Sequence, residues 1–152
     1  MTIGLILECG PQGADKLVCE YFVAKIRPGV AVVSRTMDTK PGLLSKAAVV
    51  ADRLLADGRE RVLIIWDLRP AWPEKAHKPC RAAERQALQA SLATAGLQGR
   101  PVYLVCVEQE LESWLLADET KLSGYLSTPE HPYRANKVRN PDIVPNLIPR
   151  LS

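Results

Sequence analysis

Apolar and polar positions alternate between two rhythms along this chain. Short, nearly continuous apolar runs at Ile3–Leu7, Val62–Trp66 and Val102–Val107, with the β-branched run Val30–Val33, read as strands. Between them lie longer stretches in which apolar residues return every three or four positions, the period of a helix with one buried face. The first is Ala14–Ile26, where Leu17, Val18, Phe22 and Ile26 fall near one face and Arg27-Pro-Gly29 ends the helix. The second, Gly42–Asp57, opens after Pro41 and closes at Gly58; Leu44, Ala47, Ala51, Leu54 and Leu55 make its inner face. Cys80–Ala95, closed by Gly96, is the third, and Glu110–Asp118 begins a last one. Val62–Asp67 has no polar interruption before its end, which suits a strand buried on both faces.

Strands alternating with helices predict an α/β fold: a mostly parallel, Rossmann-like sheet of about four strands with helices on both faces. The expected division is a domain over 1–126 and a tail over 127–152. Pro129, Pro132, Pro141, Pro145 and Pro149 forbid a long unbroken helix in that tail. The chain has 152 residues, 47% of them hydrophobic and 24% charged, enough for a real core in one domain. No apolar run approaches the ~20 residues needed to cross a bilayer. The opening strand-like run has no basic segment before it, so a cytoplasmic protein without a membrane role is expected. Cys9, Cys19, Cys80 and Cys106 form no C-x-x-C pair and read as free thiols. The net charge of +3 permits nucleic-acid binding without arguing for it.

Three of the strand-like runs stop at a carboxylate: Glu8, Asp67 and Glu108. In a parallel sheet these residues collect at the carboxyl edge, where open α/β sheets place their ligands. Carboxylates crowded there repel one another and invite a hard cation such as Mg²⁺. Each of them also suits an ordinary turn or helix cap. After Asp67, the segment Leu68–Arg81 carries Arg69, Lys75, Lys78 and Arg81 against the single acid Glu74, with Trp72 and His77 interleaved. Cations grip phosphates and an aromatic ring stacks on an unpaired base, so Arg69, Trp72, Lys75, Lys78 and Arg81 are the candidate nucleic-acid contacts. The tail adds Arg134, Lys137 and Arg139. No G-x-x-x-x-G-K-[ST] or G-x-G-x-x-G motif is present, and nothing orients Cys9 with His77 as a nucleophilic pair.

Glu110-Leu-Glu-Ser-Trp-Leu-Leu-Ala-Asp118 resembles the E-x-E-x-W-L-L-A-D signature of an uncharacterised bacterial Toprim-like family, itself distantly similar to the Toprim domains of OLD-type nucleases. Leu5-Ile-Leu-Glu-Cys-Gly-Pro11 resembles the first Toprim strand, whose Glu is followed closely by Gly. The resemblance covers about residues 3–126. It implies a metal site with Glu8 as the strand-end Glu and Asp67 as the first acid of a D-x-D pair. The second acid is replaced by Arg69, which has no acceptor for a metal but can hold a phosphate. Glu110 or Glu112 would then complete the ligand set. The expectation is a Mg²⁺- or Mn²⁺-dependent phosphoryl-transfer enzyme, a nuclease of a defence or DNA-processing system. Its partners would be DNA or RNA and a protein such as an ATPase, with Glu8, Asp67 and Arg69 as the catalytic set. The alternative is a catalytically inactive Toprim-like module that binds nucleic acid or protein.

Overall fold

In the computed structural model, residues 1–68 and 80–108 are described, all within one compact unit, Met1–Glu108. Four strands and three helices alternate: β1 (Thr2–Leu7), α1 (Ala14–Ile26), β2 (Ala31–Thr36), α2 (Lys40–Ala56), β3 (Arg61–Asp67), α3 (Arg81–Thr94) and β4 (Val102–Val107). Every strand pair is parallel and the sheet order is β2-β1-β3-β4. The α/β arrangement expected from the sequence is the one observed. The expected helix Glu110–Asp118 and the tail lie outside the described residues.

The pleat assigns the two faces. Gly4 and Ile6 of β1, with Val62, Ile64 and Trp66 of β3, turn toward α2 and α3 and form the main core with Leu43, Ala47, Ala51, Leu54, Leu88 and Leu92. Leu5 faces the other way, in register with Ser34, whose hydroxyl donates to Glu20 of α1 at 2.7 Å. So α2 and α3 cover one face and α1 the other. This unequal cover corrects the expectation for β3. Val62, Ile64 and Trp66 are buried, but Leu63 and Ile65 on the α1 side are only half-buried.

Helix α1 is also rotated from the expected orientation. Cys19 is its buried residue, Val18 and Phe22 are half-buried, and Leu17 and Ile26 stand 61% and 82% exposed. In α2 the inner face is Leu43, Ala47, Ala48, Ala51 and Leu54, with Leu44 and Leu55 at its margins. That helix starts two residues earlier than Gly42. Thr39 caps it by accepting the Gly42 N–H at 3.1 Å, and Pro41 sits in its first turn, where no N–H is needed. Strand β2 extends to Thr36, three residues beyond the β-branched run, because its pairing with β1 continues through Leu7.

The closeness of α2 to the sheet depends on Gly4. A Cβ there would lie 2.9 Å from Leu54 Cδ1 and 3.3 Å from Val62 Cγ2. Gly4→Val should therefore lower stability by about 1–3 kcal/mol through overpacking. Leu54→Ala alone should cost about 2–5 kcal/mol, and the double variant should lose less than the two single costs added together. Denaturant titration checks this; strict additivity would mean that the two positions do not share the contact.

Candidate functional site at the carboxyl edge of the sheet

From β1 the chain moves outward to β2 on one side, and from β3 to β4 on the other. The switch in direction opens a crevice above the carboxyl ends of β1 and β3, the usual ligand position in an open α/β sheet. Glu8 follows β1 and Asp67 closes β3, so both flank this crevice. Their side chains leave from opposite faces. Leu7 pairs with Ile65, which sets Glu8 beside Trp66 on the α2–α3 side and Asp67 one step further on, toward α1. Accordingly Asp67 acts electrostatically on the Cys19 thiol of α1, whereas Lys40 and Glu84 act on Glu8. Glu8 reaches across the strand ends and accepts the Asp67 backbone N–H at 3.2 Å.

Burial dominates the chemistry of Glu8. It lifts the carboxyl from its usual 4.5 to about 7, against the opposing pull of Lys40 and of the Asp67 amide. A carboxyl that titrates near neutrality in a crevice is suited to exchanging a proton. Asp15, in the first turn of α1, is raised as well, by burial, although it accepts from the Cys9 thiol. That thiol is pushed up to about 12 by burial and then by Asp15, and Cys19 to about 11 by burial first, so neither is an activated nucleophile.

Beside Glu8 lies a buried polar network that the sequence reading missed. Lys40 and Glu84 are only 6% and 4% exposed. Lys40 Nζ donates to the Leu68 carbonyl at 2.9 Å and stands 3.6 Å from Glu84 Oε1. Glu84 Oε2 in turn accepts the Trp66 indole N–H at 2.9 Å. Leu68 is held from both sides, since its own N–H donates to the Val107 carbonyl at 2.7 Å. Two signals pointed to this network. Lys40 occupies a helix N-terminus, where the macrodipole disfavours a cation unless something else holds it. Glu84 shares the apolar stripe of Leu88 and Leu92, at four-residue spacing, so a charge sits on a core-facing row. Asp38, just past β2, is a further edge carboxylate that was missed. Its backbone adopts φ 65°, unusual for a non-glycine residue, and its N–H donates to the Cys9 carbonyl at 3.2 Å.

Among the other predicted residues, Arg81 is exposed at the start of α3 and its guanidinium donates to Glu108, also exposed, just after β4. Arg69, Trp72, Lys75, Lys78, Glu110 and Glu112 lie outside the described residues. Among the described residues no group of three or more His, Cys, Asp or Glu side chains can hold a metal ion. Among the described edge carboxylates, Glu8 and Asp67 are the two that flank the β1–β3 crevice. Mg²⁺ keeps several waters and commonly takes one or two carboxylates plus substrate phosphate, so Glu8 or Asp67, which leave from opposite faces, is a candidate for one such contact. No helix among the described residues is long and apolar enough to cross a membrane. In comparison with known proteins, the chain matches no family model, no curated protein and no solved structure.

Two outcomes follow from the buried charges. Lys40→Met should destabilise by about 3–5 kcal/mol, because it removes the ammonium paired with the buried Glu84 carboxylate. Lys40→Met combined with Glu84→Leu should recover much of that loss, as read by thermal melts and denaturant titration; a double variant as unstable as the single one would remove Glu84 from the explanation. For Glu8 the sign is set by its raised value. The folded state keeps a proton that the unfolded chain releases above about 4.5, so stability falls as pH rises toward about 7 and stays lower beyond it. In metal-free buffer, Glu8→Gln should flatten the decline in melting temperature between about pH 5 and about pH 8; an unchanged decline would assign it to other groups.

Proposed function

We propose that this protein is a metal-dependent phosphoryl-transfer enzyme, a nuclease whose working site is the crevice between β1 and β3. The observation that carries this reading is Glu8, a half-buried carboxyl raised to about 7, set at the topological switch point beside Asp67. The Toprim-like resemblance of Leu5–Pro11 and Glu110–Asp118 supports it, and adds a defence or DNA-processing setting with an ATPase partner. Asp67 would hold Mg²⁺ or Mn²⁺, Glu8 would be a second ligand or the general base, and Glu110 or Glu112 would complete the shell. When bound, the ion polarises a phosphoryl oxygen and lowers the pKa of a water. In hydrolysis the water oxygen attacks phosphorus, Glu8 takes the water proton, and the bond to the leaving oxygen breaks as solvent protonates that oxygen. Arg69, with Lys75 or Lys78, would grip the scissile phosphate.

A second reading has its own support. Lys40 is a built-in cation beside Glu8, ion-paired to Glu84, and it already offsets part of the negative charge at the edge. On that basis the domain would be a metal-free binding module for nucleic acid or protein.

Incubation with DNA and RNA in Mg²⁺ or Mn²⁺ should show cleavage by the native protein and a loss of roughly 100-fold or more in Glu8→Gln, the scale of a lost general base. Equal cleavage by both, or by neither, would defeat the enzymatic reading. Calorimetry with Mg²⁺ separates the roles of the two acids. Binding abolished by Asp67→Asn but kept by Glu8→Gln makes Glu8 the base, binding lost in both makes it a ligand, and no binding by the native protein favours the module. Because ion and proton compete for Glu8, a ligand role also requires Mg²⁺ to bind more tightly at about pH 8 than at about pH 6.

A further inference from the structure

Among the described strands β4 is at the edge of the sheet, with β3 on one side only. The carbonyls of Pro101 and Val107 accept from Val62 and Leu68, so the odd-numbered residues of β4 turn their peptide groups toward β3. The peptide groups of Leu104 and Cys106 point the other way, to the outer edge. The same two residues pair with Ile64 and Trp66, which sends their side chains to the α3 side. There they line a groove between α3 and the edge. One section, of about 570 Å³, holds Arg85, Arg100 and Leu104; an adjoining section, of about 650 Å³, holds Arg81, Arg85, Leu104 and Cys106. Leu104 and Cys106 are half-buried, and Arg81, Arg85 and Arg100 are exposed. Among the described residues no acid lines either section. The single acid of α3, Glu84, is turned inward against Lys40. Tyr103 pairs with Leu63 and so leaves on the opposite, α1 face, where it is 48% exposed.

We propose that an extended acidic segment of a partner protein adds to the sheet as a further strand beside β4, with its carboxylates in the groove on Arg81 and Arg85. In strand addition the main chain supplies affinity and the side-chain groove supplies specificity. Here one pair of residues, Leu104 and Cys106, offers both the free peptide groups and the apolar floor. The charge spacing also fits. Side chains on one face of a strand recur about 6.6 Å apart, and Arg81 and Arg85 are about 6 Å apart along α3. Acids at alternate positions therefore meet the two guanidiniums in turn. The residue between them points to the other face, beside Tyr103, where an apolar side chain packs best. A second copy of this chain fits poorly, because it brings the same arginines to the same edge. A nucleic acid satisfies the arginines but leaves the outward peptide groups of β4 unused. Arg81 is held by Glu108 in an exposed pair, 59% and 69% accessible. Such pairs are weak, so a carboxylate of the arriving strand takes the place of Glu108. The proposal does not depend on the phosphoryl-transfer reading of the crevice.

The probe is a fluorescein-labelled peptide of alternating Glu and Val, about six residues long, the usual length of a strand. Its binding is followed by anisotropy in EDTA, apart from any catalysis. The native protein should bind it more tightly than a peptide of the same composition with Glu and Val in separate blocks, and more tightly than a Lys–Val counterpart. Arg85→Ala should weaken binding about 2- to 5-fold, the worth of an exposed ion pair. Arg85→Glu should transfer the preference to the Lys–Val peptide, a gain that a misfolded variant would not give. Glu108→Gln should tighten binding by freeing Arg81. Methylating the peptide nitrogens of the Glu residues alone, or of the Val residues alone, should abolish binding in one set and spare it in the other, because a strand turns alternate N–H groups to its neighbour. The proposal is overturned if the native protein does not bind the alternating peptide, if the block peptide binds as well, or if the two methylated sets respond alike. An oligothymidylate that displaces the peptide and is itself weakened by Arg85→Glu would give the groove to nucleic acid instead. A dimer in sedimentation that the peptide dissociates would give the edge to a second copy.

Discussion

The Lys40 ammonium is the constraint around which the carboxyl edge is organised. It sits at the head of α2, yet it bonds to the first residue after β3 and pairs with the first turn of α3. Three elements distant in sequence therefore meet on one charge. Burying such a pair gives little net stability, and breaking it costs several kcal/mol, so its effect is to specify one arrangement of the edge. The Trp66 indole N–H completes the set by holding the second oxygen of Glu84. Glu8 lies within the field of this cluster. Its proton affinity reflects a balance in which burial outweighs the nearby ammonium.

Much of the fold was legible because local rules and tertiary demands coincide there. The runs at β1, β3 and β4 are apolar enough to be strands in any context, and Gly58, at φ 84°, marks a real helix limit, whereas the Thr39 cap two residues ahead of Pro41 was not read. The site was legible only in outline. Strand-end carboxylates could be assigned to one edge by counting, but not to a face of the sheet, because that depends on register. Leu7 pairs with Ile65, and that single fact sends Glu8 and Asp67 to opposite sides. Lys40 and Glu84 escaped because a charged residue in a helical segment is ordinarily a solvated one; only their placement against a macrodipole and on an apolar row hinted otherwise. The face of α1 was misjudged for a similar reason. Periodicity shows that a stripe exists, whereas the sheet decides how far the helix rolls, and here it buries Cys19 and leaves Leu17 outside.

The same network divides the described domain into a firm half and a lighter one. On the α2–α3 side, fully buried leucines, alanines and Trp66 surround the polar cluster of Lys40, Glu84 and the Trp66 indole. On the other side, α1 meets the sheet through Cys19, half-buried Val18 and Phe22, and a hydrogen bond from Ser34 to Glu20. Glu8 and Asp67 straddle that boundary. The lighter side still buries Leu5 and Leu7 of β1 completely, so the difference lies in the half-buried Leu63, Ile65, Val18 and Phe22.

Gly4 has a mechanical consequence that reaches well beyond its strand. It lies under Leu54, near the tail of α2, whereas Lys40 is the helix's first residue, about 21 Å away at 1.5 Å per residue. The helix between them is a rigid beam laid on the core along Leu43, Ala47 and Ala51 and seated over Gly4 at Leu54. The missing methyl group at residue 4 is one seat of that beam, and raising it with a side chain tilts the beam whose other end carries the ammonium toward Leu68 and Glu84. The carboxyl edge thus shares one rigid element with the opposite end of the domain, where an absent side chain lets that element lie close.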